Sequence, residues 1–382
     1  MNFILIIIVI YLSIEIFIFL FLKKYSSVKW LILNQKIKFD KNKFNNFKKN
    51  IYNEKLGWDY KYQKKNKNLI TKKGFRKSNY SHKKNSILAF GDSYTYCRQV
   101  KDNQTWEEMI SKKKNTFIAN YGVGNYGLDQ AFLKFNLTRK RRETKVILFG
   151  FVPETICRIQ SSWKNYLEFG NLHGFKPSVE LIDNKLKFKK NFLRKNISFL
   201  QLSKLVEKIK DNDRFYKDKF LKYSFSFPYF FSFTKNFYFN LIIFKKILLS
   251  NKKVITLIEE DMFPTIMENN IKFSHNLYVE EYSKRLMNKL IMYIFKKTKK
   301  KKLKCYFIVF PQLFDLKLKT RKNYQNFFKT FNNNNIIDLT SVFLKQKNIK
   351  KLFINDKYGG HLSKKGNQLV AKELLKKVNF NN

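Results

Sequence analysis

The sequence predicts an α/β fold built on a parallel, doubly wound sheet. Three observations carry this. Short apolar runs alternate with helix-length amphipathic segments over residues 85–160 and again over 251–382. The first run, Ser86–Phe90, empties through Gly91-Asp92-Ser93 towards a helical segment, as a strand does when it leaves the carboxyl edge of an open sheet. The last segment, Gly366–Val378, is an amphipathic helix entered from a Gly-flanked loop.

The chain opens on twenty nearly all apolar residues, Phe3 to Leu22, interrupted by one acid, Glu15. As a helix they span about 30 Å, the thickness of a bilayer's hydrocarbon core. No basic residue precedes them, and Tyr25-Ser26-Ser27 makes a poor cleavage site, so residues 1–24 read as a single-pass anchor in the cell membrane. The lipid bilayer is therefore an expected partner. Lys23, Lys24 and Lys29 follow the span and favour a cytoplasmic domain, a bias that a long downstream domain overrides; the side stays open.

Residues 25–84 form a basic, polar arm with two pieces of pattern, Leu56-Gly57-Trp58 and Gly74-Phe75-Arg76. Tryptophan is highly buried on average, so Trp58 is expected to pin the arm to the domain that follows, residues 85–382. In that domain, strand Ser86–Phe90 leads to a helix near Thr105–Lys112 and a strand Thr116–Tyr121. Helix Leu128–Thr138 and strand Lys145–Gly150 come next.

Over about 161–250 the alternation fails in a stretch rich in Phe, Tyr and Lys. It reads as an inserted helical cap over the site, its aromatics touching the membrane surface. Tyr223–Phe244 is long enough for a second span, but Pro228, the serines and Asn236 argue against one. Alternation then resumes with a long helix Asn276–Lys297, strand Cys305–Phe310, helix Tyr324–Phe331, strand Ile336–Leu339 and the closing helix.

The net charge is +50 over 382 residues, from 78 Lys+Arg against 28 Asp+Glu. The basic residues run along the whole length, alongside abundant Phe (41) and few Gly (12) and Pro (5). A functional patch would cluster, so the charge reads as compositional bias and no nucleic-acid partner is expected. Cys97, Cys157 and Cys305 are too far apart for a zinc motif and odd in number, and no metal or other cofactor is expected. Walker and HExxH patterns are absent.

Ester chemistry needs a nucleophile, a base and donors for the oxyanion. Ser93, on its turn, supplies the first. Of four histidines, His82, His173, His275 and His361, only His361 lies in a Gly-flanked loop ahead of a helix. It reads as the base; the competing reading makes it a helix cap, a role Ser363 fills better. These two ends, Gly91-Asp92-Ser93 and Asp356-Lys-Tyr-Gly-Gly-His361, resemble the SGNH/GDSL hydrolase family, and in particular its membrane-anchored members of the bacterial surface-polysaccharide type. The Leu-Gly-Trp and Gly-Phe-Arg pieces and Phe175-Lys176-Pro177 extend the resemblance over most of residues 50–380.

The resemblance implies a three-layer α/β/α sandwich and an esterase or O-acyltransferase acting on acyl esters of a carbohydrate or lipid. It implies Ser93 as nucleophile and His361 as base. The family's usual aspartate position, three before the histidine, is Tyr358, so Asp356 is the expected third member; a Ser–His dyad, or Asp338 behind the ring, are the alternatives. The oxyanion donors fall on the Ser93 N–H, on Asn125 with Gly124 beside it, and on Thr155, because the third block reads Gly150-Phe-Val-Pro-Glu154-Thr155-Ile-Cys-Arg158 where the family has an asparagine. Glu154 and Arg158 are the expected substrate contacts. That altered third block also motivates a second reading, a catalytically inactive glycan-binding or assembly module on the same fold.

Overall fold

A computed structural model describes residues 3–35, 37–62, 70–83, 86–139, 143–250, 254–331, 335–354 and 360–380. Its centre is a five-stranded, all-parallel sheet of β1 (Ser86–Gly91), β2 (Phe117–Asn120), β3 (Val146–Phe151), β4 (Lys304–Val309) and β5 (Ile336–Asp338), in the order β2-β1-β3-β4-β5. That order reverses direction between β1 and β3, and such a switch point opens a crevice at the carboxyl ends of the strands.

Strands covered on both faces read as continuous apolar runs, which is why β1, β3 and β4 show no alternation in the sequence. Leu88, Phe90, Ile147, Phe149 and Phe307 face one helical layer, α3 (Leu128–Leu137) and α5 (Glu281–Lys300). Ile87, Ala89, Leu148 and Ile308 face the other, α2 (Trp106–Lys114) and α6 (Lys364–Lys377). Phe149 is fully buried between Phe90, Phe135 and Phe307, and its truncation to alanine costs about 3–5 kcal/mol. Helix α2 starts where Thr105 caps the Glu108 N–H, and stops at Asn115 in the left-handed region.

The arm is folded onto this core. Residues Gly57–Trp58 pair with Tyr52–Asn53, and the buried Trp58 indole donates to the Gly124 carbonyl at 3.0 Å. The first helix, α1 (Phe3–Lys24), is 22 mostly apolar residues, most of them exposed. Length and composition suit a single-pass membrane anchor; a signal sequence has the same features.

Two expectations need correction. The helix expected over Asn276–Lys297 is two helices, α4 (Ile255–Leu277) and α5, separated at 278–280. Tyr278 causes the break: its ring sinks among Tyr324, Phe327 and Phe328, and its hydroxyl donates to the Pro153 carbonyl at 2.7 Å. The stretch 161–250 is not wholly helical. It holds an antiparallel hairpin, Ser178–Ile182 with Lys185–Lys189, that packs on α3 and α5. Short helices follow, including Leu202–Lys210, Tyr229–Thr234 and Phe237–Leu248. Pro228 and Asn236 interrupt Tyr223–Phe244, which is therefore not one continuous span.

Candidate active site

The site is assembled where β1 and β3 emerge together. A Cβ on Gly91 would lie 2.0 Å from the Gly150 carbonyl oxygen, so only glycine lets the two strand ends approach this closely. Asp92 is buried and caps a single helical turn, Ser93–Tyr96, through the Tyr94 N–H at 2.9 Å. Its other oxygen accepts the Val152 N–H, also at 2.9 Å, and lies 3.5 Å from the Arg158 guanidinium. Burial pushes the Asp92 carboxyl above its ordinary range, and Arg158 with the two N–H groups opposes the rise. The turn closes at Cys97, whose φ is +56°.

Beneath the turn lies Arg76. Its guanidinium donates to the carbonyls of Tyr96 (2.6 Å), Cys97 (2.5 Å) and Val100 (2.6 Å), and to Asp102 at 2.8 Å. A cation under the carbonyl end of a helical turn satisfies acceptors that have no intrahelical donor. Asn120 braces the same turn, donating to Thr95 O at 2.6 Å. Gly122 lies so close that a Cβ there would meet the Tyr96 nitrogen at 2.4 Å.

His361 reaches the site from the far end of the chain. Its carbonyl accepts the Ile354 N–H at 2.7 Å, and Phe353 bridges to Leu362, so the histidine sits on a short antiparallel clasp. Ser363 then caps α6 through the Gly366 N–H. Asn367, fully buried in α6, accepts the Trp106 N–H and faces the Cys97 sulfur, each at 3.2 Å, locking α6 to the serine turn. The Tyr94 hydroxyl donates to the Gly360 carbonyl at 2.9 Å, and its ring lies 5.2 Å from the imidazole. The outcome is a His361 Nε2 to Ser93 Oγ distance of 2.9 Å. Ser93 is half-buried and the imidazole nearly covered, so the hydroxyl is the more accessible of the two.

The other histidines are engaged elsewhere. His275 is buried against Asp315 (2.7 Å) and Thr320 (2.9 Å). His173 stacks on Phe47, and His82 is exposed on the arm.

The structure brings only part of the expected set together. Asp356 lies outside the described residues. Asp338, at the end of β5, accepts from the backbone and hydroxyl of Thr340. Asn125 is exposed, with φ +66°. The Gly124 N–H is taken by the Tyr60 hydroxyl at 3.2 Å, which removes it from the expected oxyanion set. Thr155 is fully buried, and its hydroxyl accepts the Leu128 N–H at 2.9 Å, which holds the start of α3. Glu154 and Arg158 are also corrected. Both are buried and bonded to each other at 2.5 Å, and Arg158 reaches on to Asp92 and to the Tyr126 carbonyl. They brace the serine turn and leave no charge for a ligand. Lys176, of the Phe-Lys-Pro piece, is likewise buried, 2.8 Å from Asp129.

Tyr94, Arg76 and Asn367 were missed as site residues in the sequence. Arg76 carried a trace, since Gly74-Phe75-Arg76 already stood out of the arm; Tyr94 and Asn367 carried none.

No protein-family model matches the chain, and no curated protein matches its sequence. Solved structures similar to it include a protein placed in the lipolytic G-D-S-L family from Desulfitobacterium hafniense DCB-2, 8% identical with a TM-score of 0.33, covering 77% of this chain and 100% of that one. Another is a lipolytic protein of the G-D-S-L family from Veillonella parvula DSM 2008, 12% identical with a TM-score of 0.33, covering 77% of this chain and 97% of that one. Both are GDSL-family proteins. At this level of likeness neither bears on what the chain acts on.

Proposed function

We propose that the chain is a membrane-anchored serine hydrolase of SGNH type that cleaves or transfers acyl esters. The observation that carries the reading is the 2.9 Å contact between His361 Nε2 and Ser93 Oγ at the switch point of the sheet. In this reading Ser93 Oγ attacks the ester carbonyl carbon while His361 Nε2 takes the hydroxyl proton. The N–H groups of Ser93 and Asn125 receive the oxyanion. As the C–O bond breaks, His361 returns the proton to the leaving alcohol and an acyl-serine remains. Water, or the hydroxyl of an acceptor, then gives its proton to His361 and attacks the acyl carbon; the acyl–serine bond breaks and His361 returns the proton to Ser93 Oγ. Asp356 is the proposed group behind the ring.

Hydrolase and O-acyltransferase use the same steps and differ in which hydroxyl reaches the acyl-serine. An acylated carbohydrate or lipid is the proposed substrate class, because α1 would hold the site near a membrane and its lipid-linked molecules.

One observation favours the second reading, a silent glycan-binding module. Glu154, Thr155 and Arg158 are all committed internally, so the third block presents no side chain to an oxyanion. Hydrolysis of p-nitrophenyl acetate separates the two. The enzyme reading expects turnover that falls by at least 100-fold in Ser93→Ala and His361→Ala. Turnover equal in wild type and both variants supports the silent module.

A further inference from the structure

We propose that Phe227–Leu249 is a second membrane-inserted element, seated against α1 in a phospholipid bilayer. The proposal does not depend on the chemistry at Ser93.

It begins with Glu15. This acid lies in the middle of the most apolar segment of the chain and is buried, whereas most of α1 is exposed. A carboxylate at such depth is costly unless it is paired. Its partners are the backbone N–H groups of Tyr229, at 2.7 Å, and Phe230, at 2.9 Å. Glu15 stands nine residues before the end of α1, about 14 Å along the helix. Whatever depth Glu15 occupies, Tyr229 and Phe230 share it. Ring contacts continue the seam: Tyr11 with Phe230, Phe19 with Tyr229 and Phe21 with Phe244. When α1 crosses a bilayer, this seam carries residues 227–231 to near its middle.

The segment's surface is built for that solvent. Several of its polar side chains are bonded within the protein: Ser232 Oγ bonds both the N–H and the carbonyl of Ser226, Asn240 Nδ2 donates to Phe233 O, and Asn236 Nδ2 to Lys222 O. The aromatics that do not meet α1 include several that turn outward. Phe227 is 72% exposed, Phe231 58% and Tyr238 80%, and Leu241, Ile242, Leu248 and Leu249 extend the same outer face of helix Phe237–Leu248. A backbone within hydrocarbon must find its partners inside the protein, and here Glu15 takes the Tyr229 and Phe230 N–H groups while Ser232 takes both backbone groups of Ser226. Lys23, Lys24, Lys235 and Lys245 are exposed beside the apolar surface, where anionic headgroups would meet them. Phe227–Phe231 then dips beside α1, and helix Phe237–Leu248 lies along the interface.

Depth-dependent quenching of the full-length chain tests this in vesicles of phosphatidylcholine and phosphatidylglycerol. The three native cysteines are buried, so a thiol-reactive fluorophore is directed to a cysteine introduced as Phe231→Cys, Tyr238→Cys or, on exposed Lys113 of α2, Lys113→Cys. Lipids spin-labelled on the acyl chain are expected to quench the first two at least three-fold more than the third. The deeper label should act best on position 231. Quenching at 231 and 238 no greater than at 113 overturns the proposal. So does cross-linking between Tyr238→Cys chains without lipid quenching, which would put a second copy on this face. The two positions are read independently, so misfolding of one variant leaves the other decisive.

Discussion

The Tyr94 hydroxyl donates to the Gly360 carbonyl at 2.9 Å across 266 residues of sequence, joining the turn that carries Ser93 to the loop that carries His361. Removing the hydroxyl leaves a buried carbonyl without this donor and frees the loop, at a cost of about 1–2 kcal/mol. Tyr94→Phe is expected to lower kcat about five- to ten-fold with little change in KM. A change in KM alone would mean the tyrosine acts on substrate access instead.

Arg76 makes a prediction about stability. One guanidinium satisfies three backbone carbonyls beneath the serine turn, and a methionine of similar length satisfies none. Arg76→Met is expected to cost about 3 kcal/mol or more, read as the midpoint of urea denaturation in detergent. Arg76→Lys should recover part of it, because an ammonium reaches fewer of the three acceptors.

These two residues also mark where the sequence was legible and where it was not. The sheet strands could be read because burial on both faces makes them unbroken apolar runs between turns. Ser93 and His361 could be read because a Gly-Asp-Ser turn and a Gly-Gly-His loop are local patterns. Tyr94, Arg76 and Asn367 act through contacts with residues far away in the chain, and no local pattern encodes such a contact. The third block misled for a related reason. Glu154 and Arg158 stand four apart and can serve a ligand or each other, and only packing, which buries both, decides between the two. The hairpin over 178–189 turns on Asp183-Asn184, both at positive φ; without the glycine of the usual two-residue turn, the pair is only a weak signal in the sequence.

His173 predicts a pH dependence. Partial burial, against Phe47 and Phe44, holds its pKa below the ordinary value of about 6.5. Between the two values the unfolded chain binds more protons than the folded one, so stability falls as pH drops through about 6.5 and levels off below the folded pKa. His173→Phe keeps the ring stack and removes the proton. Thermal unfolding in detergent at pH 5 and pH 7.5 should show a smaller acid-induced loss in the variant than in wild type. Equal losses would assign the acid sensitivity to other groups.

The central claim is that the His361 imidazole makes the Ser93 hydroxyl a nucleophile. Its most direct measurement is the intact mass of the protein after exposure to a fluorophosphonate, with the adduct located by peptide mapping. One adduct is expected, on Ser93, formed by wild type, at least 100-fold slower in His361→Ala and absent in Ser93→Ala. Wild type that stays unmodified, or is modified at the same rate without His361, would contradict it.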